Sequence, residues 1–276
     1  MFFTDISSKQ AGYFTNLFFN NGIFIIFVEN FCFMQKILSY PLSLITYTLF
    51  LFFICLFQPI QYICLNVFGY QAHKKSVDIL NFFLINTLLA TLNTASVEFR
   101  AVVPEDKPLI FVSNHQGTFD IIGMAWLLRK YHLKYVSKIE LGKGIPSVSY
   151  NLKHSGSALI DRKDPKQALP ELKKLGEYIQ TNKRTAVIYP EGTRSRDGKP
   201  GTFAPNGLKI LCKYAPDALV VPITINNSWK IFRYGGFPLG ICNRLKFIVH
   251  EPMAVKDYDF NTLFEKTEKA IVGDIV

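Results

Sequence analysis

Between Ile37 and Ala72 the sequence has no charged residue, which excludes a water-exposed helical surface there. It also has no Lys/Arg run longer than two, no zinc-ligand spacing and no aromatic-basic ribonucleoprotein motif. A net charge of +10 therefore points to an anionic membrane or a phosphorylated substrate, and no nucleic-acid partner is expected. The five cysteines, Cys32, Cys55, Cys64, Cys212 and Cys242, form no CxxC pair and no disulfide framework; they read as reduced cytosolic or lipid-buried thiols. No G-x-S-x-G elbow occurs, which disfavours a serine hydrolase of the α/β type, and no cysteine sits in an activating context. No metal is expected, because no cluster of His, Cys, Asp or Glu has ligand spacing.

What the chain does contain is phenylalanine, 25 residues in 276. Its mean hydropathy is +0.16, unusual for a freely soluble protein and a sign of lipid contact. The length allows one main core and a smaller accessory element. The basic excess lies almost wholly from Val97 onward, and the apolar residues concentrate before it. The densest stretch, Leu42 to Phe57, is short for a membrane span, and its extension meets Pro59, expected to kink a helix. A second apolar segment, Val77 to Val97, carries Asn81, Asn86 and Asn93; Lys74 and Lys75 lie between the two, placed to meet lipid phosphates. Two helices lying in one leaflet fit these marginal spans better than a membrane-crossing hairpin. Residues 1–33 have one basic residue, Lys9, before "GIFIIFV" and make a poor signal peptide. They are expected to be a dispensable extension ahead of a more natural start at Met34. Residues 34–97 are then the membrane-associating helices and 98–276 the catalytic domain.

From Val97 the texture changes to short apolar runs, such as "PLIFVSN", "LKYVSK", "TAVIYP" and "ALVVPITI", interleaved with helical patterns at Thr118–Tyr131, Pro165–Gln180 and Asn206–Tyr214. That alternation predicts an α/β domain with a largely parallel sheet. Two strand exits carry chemistry. The first is "SNHQGTFD", where a buried strand ends near Val112 and a helix begins near Thr118. Positions five apart on a continuous helix sit about 140° from one another. His115 and Asp120 therefore meet only if His115 is still in the loop and Asp120 is in the first helical turn. A carboxylate bonded to one imidazole nitrogen fixes the tautomer and raises the basicity of the other, which makes a general base. With no protein nucleophile in sight, a hydroxyl of the substrate itself is a candidate nucleophile. The second exit is "YPEGTRSRDGKP", a turn rich in donors with an arginine suited to bidentate phosphate contact. It fails the P-loop pattern, since Gly192 and Gly198 are too far apart and a proline follows Lys199. His73, His132, His154 and His250 join no constellation and are expected at the surface or as caps.

Taken together, four blocks in order resemble the glycerolipid acyltransferase family over roughly residues 97 to 252. They are "NHQGTFD", "SKIELGKGIPSVSYNLKHSGSALIDR", "YPEGTRS" and "VVPITI". The resemblance implies a two-layer α/β acyltransferase fold with an N-terminal hydrophobic helix pair. It implies that His115 and Asp120 are catalytic and that Lys138, Arg162, Glu191, Gly192, Thr193 and Arg194 bind substrate, with Glu191 shaping its loop. The implied reaction moves a fatty acyl chain from acyl-CoA or acyl carrier protein, as substrate and not cofactor, to the free hydroxyl of 1-acylglycerol-3-phosphate. The product would be phosphatidic acid for phospholipid synthesis, made by a membrane-associated protein whose catalytic domain lies on the cytoplasmic side. Two other readings stay open: an acyltransferase for another lysolipid, and a catalytically silent membrane lipid-binding protein. Gly117 stands where many relatives have serine, so a polar contact beside the base is expected to be missing.

Overall fold

In the computed structural model of the chain, the described residues are 23–276 for the backbone and 33–276 for the side chains. The expectation that residues 1–33 are dispensable lies outside the described residues in nearly all its length. The described chain opens with two consecutive helices, α1 (Ile23–Phe68) and α2 (Tyr70–Asn86). Helix α1 continues unbroken through Pro41 and Pro59. The two pack through Phe53 and Phe83, whose rings stack at 4.6 Å. Among the described residues one helix, over Phe33–Phe68, is long and apolar enough to cross a membrane. Lys74 does not face outward as expected, because it pairs with Asp78 one turn on and donates to the Arg129 carbonyl at 2.8 Å.

The rest alternates strand and helix: β1 (Thr94–Phe99), β2 (Leu109–Ser113), α3 (Thr118–Leu127), β3 (Leu133–Lys138), α4 (Val148–His154), β4 (Ala158–Ile160), α5 (Pro165–Asn182), β5 (Thr185–Ile188), α6 (Pro205–Tyr214), β6 (Leu219–Asn226), β7 (Arg244–Val249), β8 (Met253–Ala254) and α7 (Phe260–Val272). The sheet order is β1-β7-β6-β2-β5-β3-β4, with β8 on β6. Strands β2 to β6 run parallel, as the alternation predicts, whereas β7 and β8 are antiparallel to β6. Strand β1 corrects the expected boundary at residue 97. Residues 94–97 leave the helical segment to pair with β7, Thr94 opposite Arg244.

The central strands are buried on both faces, so each must be covered twice. Along β2, Leu109 and Phe111 face one cluster with Leu84, Phe119 and Met124, while Ile110 and Val112 face another with Leu172, Leu208 and Leu263. Helices α1, α2 and α3 cover the first face and α5, α6 and α7 the second. The mixed α/β class stands, with one layer more than the two expected. Because β2 to β6 run parallel, their carboxyl ends open on one edge, where ligands bind in sheets of this kind.

Candidate active site

Every block singled out in the sequence ends at that edge. His115 follows β2, Lys138 closes β3, Arg162 follows β4 and Glu191 follows β5. The turn between β2 and α3 is held from both sides. Asn114, almost fully buried, uses its side-chain amide to accept from the Ile225 N–H at 2.7 Å and to donate to the Ile225 carbonyl at 2.9 Å. Gln116 accepts from the Ser228 N–H at 3.0 Å. From the other side, the His115 N–H donates to Glu191 Oε1 at 2.7 Å, and its carbonyl accepts from the Ser195 N–H at 2.8 Å. His115 therefore has little freedom to move.

Asp120 occupies the first turn of α3 and is fully buried. Its Oδ2 lies 2.8 Å from His115 Nδ1 and also accepts from the backbone N–H groups of Gln116 and Gly117, at 2.5 and 2.7 Å. With three donors converging on one oxygen, Nδ1 carries the proton, and Nε2 of a neutral imidazole is an acceptor. Nε2 has no hydrogen bond among the described residues, and the side chain is 12% exposed. Tyr189, buried, stacks on the imidazole at 4.3 Å and 24° and fixes the ring plane. The dyad follows directly from the loop-then-helix placement that the spacing demanded.

Glu191 accepts twice, from His115 N–H and, through Oε2, from Gly201 N–H at 2.7 Å. Burial pushes its carboxyl above the usual range while these two donors oppose the shift. Its place is thus inside the loop that holds His115. Gly192 has φ of +68°, a left-handed turn that a side chain would strain, and the Arg162 guanidinium reaches within 3.7 Å of where its Cβ would stand. Arg162 is exposed, and partial desolvation of its guanidinium pushes its pKa down against the pull of Glu140. Arg194 is exposed and donates to Thr118 Oγ1 at 3.0 Å, so it lies at the head of α3 beside the dyad. Lys138 and Thr193 are exposed, Lys138 in register with Ile160 two residues before Arg162. The six candidate binding residues thus stand at the carboxyl ends of β3, β4 and β5, on the same sheet edge as the dyad.

Asn114, Gln116 and Tyr189 were not singled out from the sequence, because each acts through a partner more than 70 positions away. The histidines need correction as well. His73 and His250 are buried, not at the surface; His250 bonds to Thr224 Oγ1 at 2.8 Å. At Gly117, a Cβ would come within 2.8 Å of Ser228 Oγ and 2.9 Å of Phe232. A serine hydroxyl thus does stand beside this position, supplied from the β6 exit. Among the described residues no group of three or more His, Cys, Asp or Glu is placed to hold a metal.

Residues 95–226 match the family model described as Acyltransferase. A chloroplastic 1-acyl-sn-glycerol-3-phosphate acyltransferase of Brassica napus is 33% identical over 150 residues, 54% of this chain and 41% of that protein. A 1-acyl-sn-glycerol-3-phosphate acyltransferase of Helicobacter pylori is 36% identical over 126 residues, 45% of this chain and 50% of that protein. The chain thus aligns with half or less of the length of these relatives. The crystal structure of the 1-acyl-sn-glycerophosphate (LPA) acyltransferase of Thermotoga maritima superposes with a TM-score of 0.72 at 22% identity, covering 87% of this chain and 95% of that one. That likeness establishes the fold.

Proposed function

We propose, from the match of residues 95–226 to the Acyltransferase family model, that the protein is an O-acyltransferase that makes phosphatidic acid from 1-acylglycerol-3-phosphate and a fatty acyl thioester. The names of the similar proteins support this acceptor. The observation that carries the reaction type is the 2.8 Å contact between Asp120 and His115 Nδ1, with Nε2 unbonded. In the proposed step Nε2 takes the proton of the acceptor hydroxyl as its oxygen attacks the thioester carbonyl. Asp120 stabilises the imidazolium that forms. Collapse of the tetrahedral intermediate breaks the carbon–sulfur bond, and the departing thiolate takes the proton back, leaving ester and thiol.

Arg162, Arg194 and Lys138 carry positive charge to the rim of the same edge, where an acceptor phosphate would bind; Gly192 and Thr193 bring the backbone close to it. Glu191 holds the loop. The donor is acyl-CoA or acyl carrier protein, no cofactor takes part, and the domain works from the cytoplasmic face of a membrane. Helices α1 and α2 dock in one leaflet, a placement supported by the exposed apolar side chains Leu44, Leu51, Phe52, Ile63 and Phe68 on α1. Purified protein given labelled acyl-CoA and a panel of lysolipids should form phosphatidic acid fastest, read by mass spectrometry. Preference for a phosphate-free acceptor would overturn the acceptor assignment, and no acyl transfer to any lysolipid would favour the lipid-binding reading.

A further inference from the structure

The segment from Ser228 to Gly240, between β6 and β7, crosses from the catalytic turn to α1. At its root the Ser228 N–H bonds to Gln116, and the Phe232 ring stacks on Phe119 at 6.1 Å, so it is fastened to the turn that holds His115. Its tip is fastened to α1. The Leu239 N–H donates to Ser43 Oγ at 2.7 Å, Tyr47 Oη donates to the Gly236 carbonyl, and Phe237 packs edge-on against Tyr40 with ring centres 5.5 Å apart. Leu239 and Ser43 are fully buried, so the crossing is seated on the helix.

The tip nevertheless leaves two kinds of group unsatisfied. Phe237 is 52% exposed, and Tyr40 and Tyr47 beside it are exposed as well. Next to them, Lys36 and Arg233 both stand over the ring of Tyr234, at 5.6 and 5.1 Å from its centre. A ring face attracts a cation but carries no net charge, so two like charges gathered there still lack a counter-ion. The chain supplies none nearby: no Asp or Glu occurs between Asn30 and Val77 or between Ala218 and His250. Among the described residues neither cation pairs with a carboxylate. On the opposite face of the sheet Lys173 and Lys213 share Tyr214 in the same way, but there Lys173 faces Glu177 at 3.7 Å. Basic groups beside exposed aromatic rings suit the boundary between lipid headgroups and acyl chains. The patch also continues along α1, where Ile37 and Leu44, one turn either side of Tyr40, are exposed.

We infer that the tip between β6 and β7, together with Lys36, is a headgroup site for an anionic phospholipid, its phosphate held between Lys36 and Arg233 and Phe237 set among the upper acyl methylenes. Because the same segment is rooted on the turn that holds His115, a lipid bound here sets which edge of the sheet faces the bilayer. None of the residues placed in the proposed acyl transfer contributes to the site, and its occupancy does not depend on that reaction. The test is electron spin resonance of trace spin-labelled phosphatidylglycerol or phosphatidylcholine, with the full chain reconstituted in phosphatidylcholine vesicles at low salt. Wild type should hold phosphatidylglycerol in preference to phosphatidylcholine. Lys36→Gln and Arg233→Gln should each lower that preference about fivefold, the effect of one basic residue at a lipid surface. Lys213→Gln should leave it unchanged. Arg194→Ala and His115→Ala should also keep it, so that failure of this site and failure of the catalytic reading are read separately. In Phe237→Trp the added indole should be quenched by phospholipid brominated high on its acyl chains, beyond the quenching that Trp126 and Trp229 show in wild type. No preference in wild type, a preference undiminished in the double variant Lys36→Gln/Arg233→Gln, an equal loss in Lys213→Gln, or no added quenching in Phe237→Trp would overturn the inference.

Discussion

Replacing Asp120 with asparagine changes one atom, and the structure constrains what that atom can do. Oδ2 accepts from the Gln116 and Gly117 N–H groups at 2.5 and 2.7 Å, as well as facing His115 Nδ1. A flipped asparagine would point an NH₂ at two backbone donors, so its carbonyl oxygen stays in the Oδ2 position. The NH₂ then takes the place of Oδ1, which is buried without a partner. The imidazole therefore keeps its tautomer, and what is lost is the carboxylate charge opposite the imidazolium. With charge centres about 4 Å apart and an effective dielectric of about 20, that attraction is about 4 kcal/mol. At 1.36 kcal/mol per decade this corresponds to about 10³ in rate. The partial exposure of His115 and the remaining Glu191 carboxylate bring the expected loss in kcat to about 10² to 10³. Initial rates with acyl-CoA and lysophosphatidate, with a thermal melt to show an intact fold, measure it. Because the two residues act as one unit, the double variant His115→Ala/Asp120→Asn should be no slower than His115→Ala within about threefold. Near-normal turnover in Asp120→Asn, or losses that multiply in the double variant, would refute the reasoning.

Glu191→Gln should lower Tm and reduce kcat roughly tenfold, because one of the two backbone donors now faces an NH₂, a loss of about 1 to 3 kcal/mol in the loop that holds His115; differential scanning fluorimetry and initial rates report both. Arg194→Ala should raise the KM for phosphate-bearing acceptors about ten- to a hundredfold, the loss of one charge-assisted contact, and leave phosphate-free acceptors unchanged in the same assay. Gly117→Ser should destabilise the fold by about 1 to 3 kcal/mol through collision with Ser228 and Phe232, and adding Ser228→Gly should recover much of the loss in denaturant melts. Lys134 titrates near 7 when folded and near 10.5 when unfolded, so between those pH values the unfolded chain binds the extra proton and stability rises with pH. Urea unfolding at about pH 7 and 9.5 should show that rise in wild type and lose most of it in Lys134→Met.

The contact between His115 and Asp120 was legible because the whole constraint is local. A buried strand, a short turn and a helix start fix where His115 and Asp120 stand, and those signals lie within "FVSNHQGTFD". The parallel strands were legible for a similar reason, since each is an apolar run bounded by a helical pattern. What escaped the sequence depends on partners far along the chain. Strand β1 hid at the end of an apolar segment because Ala95 and Val97 continue its texture, and only the pairing with β7, about 150 positions later, makes it a strand. Tyr189 reads as ordinary strand core until it stacks on His115. The approach of the Ser228 hydroxyl to residue 117 needs the β6 exit folded over the turn. His73 joins no constellation in the sequence and is expected at the surface or as a cap, yet Lys74 turns inward and His73 is buried.

The central claim is direct transfer of the acyl group with His115 as general base. Single-turnover mass spectrometry on wild type and His115→Ala, following both the lipid product and the intact protein mass, tests it in one experiment. The account predicts phosphatidic acid from wild type with no acyl adduct on the protein at any time. It predicts a folded His115→Ala protein that forms product about 10² to 10⁴ times more slowly. A covalent acyl-protein that forms and decays to product at the rate of turnover, or a His115→Ala protein that keeps near-normal speed, would contradict it.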